Sequence, residues 1–426
     1  MPDGPLPLSL DDTLPRAEDF GFDPADPDFS AEPYPVLSLL RAAGPVVTYA
    51  PRRLYLLPRY AEVHAALRDR RLGRAFDHRY TAAEFGRPEP DQSWPRWAES
   101  ERWSLLNLEP PDHTRLRRLV TAVFTARSVS RLEPQIAALA ARHLDAALEK
   151  ATDGSGFDLI ADYAQPYSVA VICTLLGVPV VDGPRLLAWS HAIVKMYELH
   201  RTADQERAAE QAADEFLTYV GDLLAQRRAR PADDLITALA EVADSGDRLT
   251  DDEILGTVIV LLNAGHEATV NTLGNGVRAL LTHRDQWHRL TDGLVGPATA
   301  VEEMIRWDAP LQLFERWVLD DGVEFGGRRF AVGERIGMLF GSANRDPSRF
   351  PEPDAFLVDR GDATHIGFGG GLHFCIGAPL ARLEIACSVE HLARRCPGLR
   401  MVEIPAFQPS FVIHGLQSLR LAPSSA

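Results

Sequence analysis

The chain has 426 residues, enough for two or three domains or for one large unit assembled around a cofactor. Its composition is that of a globular protein, 46% hydrophobic and 24% charged, and a net charge of −16 argues against nucleic-acid binding, which needs a basic face. Four cysteines, Cys173, Cys375, Cys387 and Cys396, contain no Cys-x-x-Cys pair. Neither a zinc site nor a disulfide framework is indicated, and a reducing, cytoplasmic setting is expected. The N-terminal stretch has no charged-then-apolar leader and no run of about twenty apolar residues, which predicts a chain without a membrane anchor.

In chain order, residues 1–30 are rich in Pro and Asp and predict an extended arm. Residues 34–43 read as a short helix, and residues 45–58 hold two β-rich runs around a turn, a hairpin that begins a small β region. From 76 to 103 the pattern weakens under Gly86, Pro88, Pro90 and Pro95, with Trp94, Trp97 and Trp103 interleaved, predicting a long lid-like loop. Pro110 and Pro111 end that loop, and in the helix that follows His113 and Arg117 share a face, able to meet a pair of carboxylates. Arg115 and Arg118 are assigned to its solvated side. Helical patterns continue over 131–150 and 167–176, and the charged amphipathic run 200–230 predicts a surface helix.

Residues 250–283 lack proline and open on Thr250-Asp251-Asp252-Glu253, a capping box, so one long helix is expected. Its middle passes from an apolar run into small and polar residues. Gly265, Ala268, Thr269 and Thr272 fall on one face there and leave room for a flat cofactor. Glu303 and Arg306 stand one helical turn apart, residues 311–318 alternate as a strand, and residues 325–339 read as two more. Residues 411–421 predict a terminal hairpin with its tip at Val412 to His414.

The most informative stretch runs from Phe368 to Gly377 and is followed at once by a helical pattern opening on Ala378 and Pro379. Its glycines permit positive φ and close approach to a bulky neighbour. A cysteine at a helix N-terminus feels the positive end of the dipole, which favours the metal-binding thiolate. Phe368, Gly369, Gly371, His373, Cys375 and Gly377 fill every fixed position of Phe-Gly-x-Gly-x-His-x-Cys-x-Gly, and the loop thereby resembles the haem-binding loop of the cytochrome P-450 superfamily. Further motifs resemble that family in the expected order across residues 34–421.

The resemblance implies a mainly α fold with a small β-rich region, the cytochrome P-450 fold of the soluble bacterial type, with residues 31–426 as a single haem-binding domain. It implies haem b (iron protoporphyrin IX) ligated by Cys375 within the loop of Phe368, Gly369 and Gly377. His113, Arg117, Arg316 and His373 would hold its propionates, and Ala264 and Gly265 would border its other face. Glu303, Arg306 and Arg360 match a scaffold triad. The implied reaction inserts one oxygen atom of O2 into a small organic substrate, a secondary-metabolite scaffold such as a polyketide, peptide or terpenoid. Electrons would come from a ferredoxin and ferredoxin reductase, because no flavin or dinucleotide motif is present, with Arg115, Arg118 and Arg382 on the docking face of a monomer. Trp94, Trp97, Leu311, Leu313, Phe314, Val412 and Ile413 would face substrate.

The catalytic segment would be Glu267, Ala268 and Thr269. It departs from the family, which usually has a threonine where this chain has Ala268. Thr269, an ordered water or a hydroxyl of the substrate would then take over part of the proton relay. That departure keeps open a peroxygenase or an oxidative ring-coupling enzyme on the same fold, and a non-catalytic haem protein that only binds a ligand stands as a third reading.

Overall fold

The computed structural model describes residues 10–85, 93–151, 156–198, 201–244, 246–361 and 364–423. Its spine is the helix Asp251–Thr282, 32 residues long, which at about 1.5 Å per residue crosses the whole molecule. Thr250 and Glu253 form the expected capping box, and Asp251, Asp252 and Glu253 place negative charge at the positive end of the dipole. Nearly every face of this helix is buried, because helices Pro95–Arg102, Gln165–Leu176, Ala203–Ala229, Pro297–Trp307 and Ala378–Arg395 pack around it. The main apolar core is their shared interior, with Tyr163, Ile172, Phe216, Leu262, Trp287 and Leu392 among its members.

The β region is a five-stranded sheet in the order Val47–Tyr49, Leu54–Leu57, Arg335–Leu339, Leu313–Val318, Leu72–Gly73. The expected first hairpin is present, with Val47 opposite Leu56. Leu54–Leu57 then runs parallel to Arg335–Leu339, with Leu56 beside Gly337. The antiparallel pairing of Met338 with Phe314 brings the strand Leu313–Val318 to the edge of the helical core.

Three expectations need correction, on the arm, the lid and the terminal hairpin, while the two strands expected within 325–339 are present. The described part of the 1–30 arm is folded rather than extended: Ala17–Phe20 is a 3-10 turn and Pro27–Ala31 a short helix capped by Asp26. Phe22 and Phe29 bury themselves, with ring centroids 5.1 Å apart, against Tyr49 and Phe411, and this apolar gain outweighs the local Pro and Asp preference. Residues 1–9 lie outside the described residues. Within the predicted lid, Pro95 sits in a first helical turn, where its missing N–H costs nothing, and Pro95–Arg102 is helical. The segment 325–339 contains a hairpin, Val323–Phe325 with Arg328–Phe330, turning on Gly326 and Gly327, before the strand Arg335–Leu339. The terminal hairpin is reduced to a bridge between Phe407 and Leu416, while Arg420–Ala422 pairs with Arg400–Met401 and Phe157–Asp158.

The helical stretch Leu159–Leu176 is long and apolar enough to cross a membrane, but 72% of it is buried inside the fold, as expected of a core helix. Glu303, Arg306 and Arg360 meet as one buried network. Arg306 makes a two-pronged contact with the Glu303 carboxylate at 2.7 and 2.8 Å and donates to the carbonyls of Asn344, Pro353 and Ala355. Arg360 donates to Glu303 at 3.1 Å and to the carbonyls of Glu352 and Ala355. Helix Pro297–Trp307 is thus stapled to the backbone of 344–357, the segment that leads into the cysteine loop.

Candidate functional site

A cavity of about 680 Å³ opens between the cysteine loop and the middle of the central helix. Its floor is the loop. Gly369 and Gly371 hold φ of 70° and 62°, and a Cβ on Gly371 would stand 2.2 Å from the Leu67 carbonyl oxygen, so a side chain is excluded there by both conformation and space. Cys375 N–H donates to Phe368 O at 3.0 Å, closing the turn immediately before helix Ala378–Arg395. The thiol faces the cavity. Burial pushes it above its ordinary pKa, against the pull of the Gly377 amide, Arg117, the Ala378 amide and Arg382. The amides at the helix terminus pull toward the thiolate, as the sequence predicts, and burial opposes them.

His373, Arg316 and Arg117 line one side of the cavity, with His113 packed behind them and Glu109 the nearby carboxylate. His113 is fully buried, and neither ring nitrogen has a partner. Its ring lies 4.5 Å from that of His373, whose Nδ1 is 3.2 Å from Leu105 O and whose Nε2 is 3.7 Å from Glu109 Oε1. Burial, with the neighbouring His373 and Arg117, pushes His113 down to about pKa 4. Arg316 is 4% exposed, and among the described residues its guanidinium meets no carboxylate; it donates to Glu315 O at 3.2 Å and lies over the Phe314 ring. Burial first and repulsion from Arg74 second push it down to about 9. Arg117 donates to Phe374 O at 2.7 Å, above the loop. Glu109 offsets part of this buried positive charge, and both His113 nitrogens and the Arg316 guanidinium still lack a carboxylate partner, so the group suits an anionic ligand. Arg74, missed in the sequence, joins it through its position over Phe314 and near Arg316. No periodicity marks it; only its burial does.

The roof is the central helix. Ala264, Gly265, Glu267, Ala268, Thr269 and Thr272 all line the cavity. Thr269 Oγ1 donates to Gly265 O at 3.0 Å and Thr272 Oγ1 to Ala268 O at 2.7 Å, so both hydroxyl protons are spent on the backbone. Asn263, also unremarked in the sequence, is 3% exposed on this wall, and both of its amide atoms lack partners.

Trp97, Leu311, Leu313, Phe314, Val412 and Ile413 form further wall. Gln312 N–H donates to Val412 O at 3.0 Å, and Leu311 bridges to Ile413, which fixes the tip against the sheet. Trp94 does not line the cavity: it caps helix Pro95–Arg102, whose pitch turns Trp97 inward instead. Arg115 is not on a solvated side; it pairs with Asp247 at 3.1 Å and with buried Glu253, tying helix Asp112–Val123 to the start of the central helix. Arg118 also reaches Asp247, and Arg382 is held by Glu302 at 2.6 and 2.9 Å.

The family model for cytochrome P-450 matches residues 89–293 and 298–399. The monooxygenase PikC of Streptomyces venezuelae is 36% identical over 399 residues, 92% of this chain and 91% of that protein. The mycinamicin IV hydroxylase/epoxidase of Micromonospora griseorubida is 38% identical over 351 residues, 82% of this chain and 83% of its own length. Among solved structures, P450BioI in complex with an acyl carrier protein carrying hexadec-9Z-enoic acid superposes with a TM-score of 0.86 at 29% identity, covering 93% of this chain and 99% of that one. With its helical spine, cysteine loop and cavity, the chain belongs to the cytochrome P-450 family and is a monooxygenase whose cofactor is haem iron.

Proposed function

We propose that this enzyme would bind haem b through the Cys375 thiolate and oxygenate a secondary-metabolite scaffold, fed by a ferredoxin. The observation that carries the reading is the buried cluster of His113, with neither ring nitrogen hydrogen-bonded, and Arg316, with no carboxylate partner, next to the only cysteine on the cavity, among the described residues. Two propionates would satisfy His113, His373 and Arg316, with Arg117 above the loop, and the thiol would lose its proton on ligation. When bound, thiolate-ligated haem iron supplies O2 activation, one oxygen atom entering the substrate and the other leaving as water with two electrons and two protons.

The chain's own residues do the rest. Small side chains at Gly265 and Ala268 leave space over the ring, and the apolar wall of Leu311, Leu313, Phe314, Val412 and Ile413 excludes water around the substrate. Asn263 offers one donor and one acceptor to a substrate carbonyl or hydroxyl, because it has no protein partner. Glu267 is the carboxylate that moves protons toward the cavity. Ala268 cannot position a water, and Thr269 has committed its proton to Gly265 O, which favours a hydroxyl of the substrate as the missing relay group.

For the electron donor, Leu372 and Phe374 are exposed on the loop, 37% and 41%, beside Arg117 and Arg118. An apolar patch edged by arginines fits a small acidic ferredoxin, even though the ion pairs of Arg115 and Arg382 make the face less basic than expected. The setting proposed is cytoplasmic. The test is turnover of polyketide, peptide and terpenoid compounds under labelled O2 with ferredoxin, ferredoxin reductase and NAD(P)H. Product carrying one labelled atom is expected. Product formed only with peroxide would favour the peroxygenase reading, and a panel that neither shifts the iron spin state nor consumes electrons would favour the non-catalytic one.

A further inference from the structure

Where the central helix packs on helix Gly183–Val194, three potential ligands converge: His191, His266 and Glu267. Glu267 Oε1 lies 3.1 Å from His191 Nε2 and 3.5 Å from His266 Nε2, and the imidazole rings are 5.6 Å apart. Despite these distances neither Glu267 Oε1 nor His266 Nε2 has a hydrogen-bond partner. His266 is 1% exposed, so its Nε2 is a buried polar atom held 3.5 Å from the Glu267 carboxylate, too loosely for a well-formed hydrogen bond. The other nitrogen explains the orientation: His266 Nδ1 is 3.3 Å from Leu262 O, one turn back. A proton on Nδ1 leaves the Nε2 lone pair pointing into the cluster, the tautomer that metal-ligating histidines adopt when a carbonyl holds their second nitrogen.

We infer that His191, His266 and Glu267 bind a divalent cation of the zinc type. Two ligands about 2.0–2.1 Å from a tetrahedral ion stand about 3.4 Å apart, close to both separations from Glu267. Two imidazoles and a carboxylate are the donor set of three-ligand zinc centres, with water in the fourth place. The His191 side chain is 42% exposed, so the cluster is open to solvent at that ligand. The ion would tie helix Gly183–Val194 to the central helix. It would also occupy the carboxylate assigned above to proton transfer and so inhibit turnover; that consequence rests on the proposed function, whereas binding does not.

The experiment uses tag-free, haem-loaded protein. Zinc chloride is added, excess is removed by gel filtration, bound zinc is counted by atomic emission, and affinity is read by competition with a chromogenic chelator. Wild type should hold one zinc per chain and unfold at a higher temperature with zinc than without it. His191→Ala, at a half-exposed position, should weaken binding at least about 10-fold and abolish the thermal shift, with its haem spectrum unchanged. Glu267→Gln should weaken zinc binding as well, providing a second variant should the first lose haem. Wild type holding no zinc, or both variants binding it as tightly as wild type, would overturn the inference.

Discussion

At the scale of single residues, Ala268 and its neighbours decide how protons reach the cavity in the proposed reaction. Thr269 donates its hydroxyl proton to Gly265 O, so Thr269→Val should change the product formed per NAD(P)H by less than about twofold. Glu267→Gln removes the carboxylate at the cavity edge and should lower the turnover number by ~10²-fold, the scale of a lost general acid or base. Ala268→Thr should shift the coupling ratio by more than about twofold, because a new hydroxyl competes with that of the substrate; an unchanged ratio would mean that position 268 merely tolerates alanine. Asn263→Leu leaves a substrate polar group unpaired, which should raise KM about tenfold with little change in haem content.

Among the elements, the staple of Glu303, Arg306 and Arg360 holds the approach to the cysteine loop rather than touching the cavity. Breaking a buried pair leaves an uncompensated charge and costs about 3–5 kcal/mol. Glu303→Gln should therefore lower haem per protein, measured from the ratio of Soret to protein absorbance, while activity per haem is kept; full haem content with lost activity would contradict a scaffold role. This staple was legible only through the family resemblance, because a Glu-x-x-Arg spacing is common by chance and Arg360 is far along the chain from Glu303. The central helix was legible from its capping box and missing prolines. Asn263, Arg74 and the partnership of His191 with Glu267 were not, since each depends on which helix faces which, and no periodic pattern carries that. Trp94 was misread for the same reason: an aromatic run shows that something is covered, and only helix phase decides which ring turns inward.

For the whole molecule, stability has a pH dependence of its own. Glu384 is buried with Tyr163, Tyr167 and Ser168 nearby, one carboxyl oxygen is unpartnered, and burial pushes it up to about 8. The folded chain therefore keeps this proton while the unfolded chain releases it at about 4.3, so stability falls as pH rises from about 4 through 8. Glu384→Gln should flatten that decline and exceed wild type at pH ~9 by a few kcal/mol, read from urea midpoints. The mainly α architecture and its small β region were readable from chain order, whereas the N-terminal packing of Phe22 and Phe29 on Phe411 joins residues too distant for local pattern to connect. Everything in the account converges on Cys375 as the ligand on the cavity floor. The most direct test is the absorption spectrum of the reduced, CO-treated protein beside that of Cys375→His. A thiolate-type Soret band in wild type, replaced by a histidine-type band in the variant, is the predicted result; a histidine-type band in wild type would contradict it.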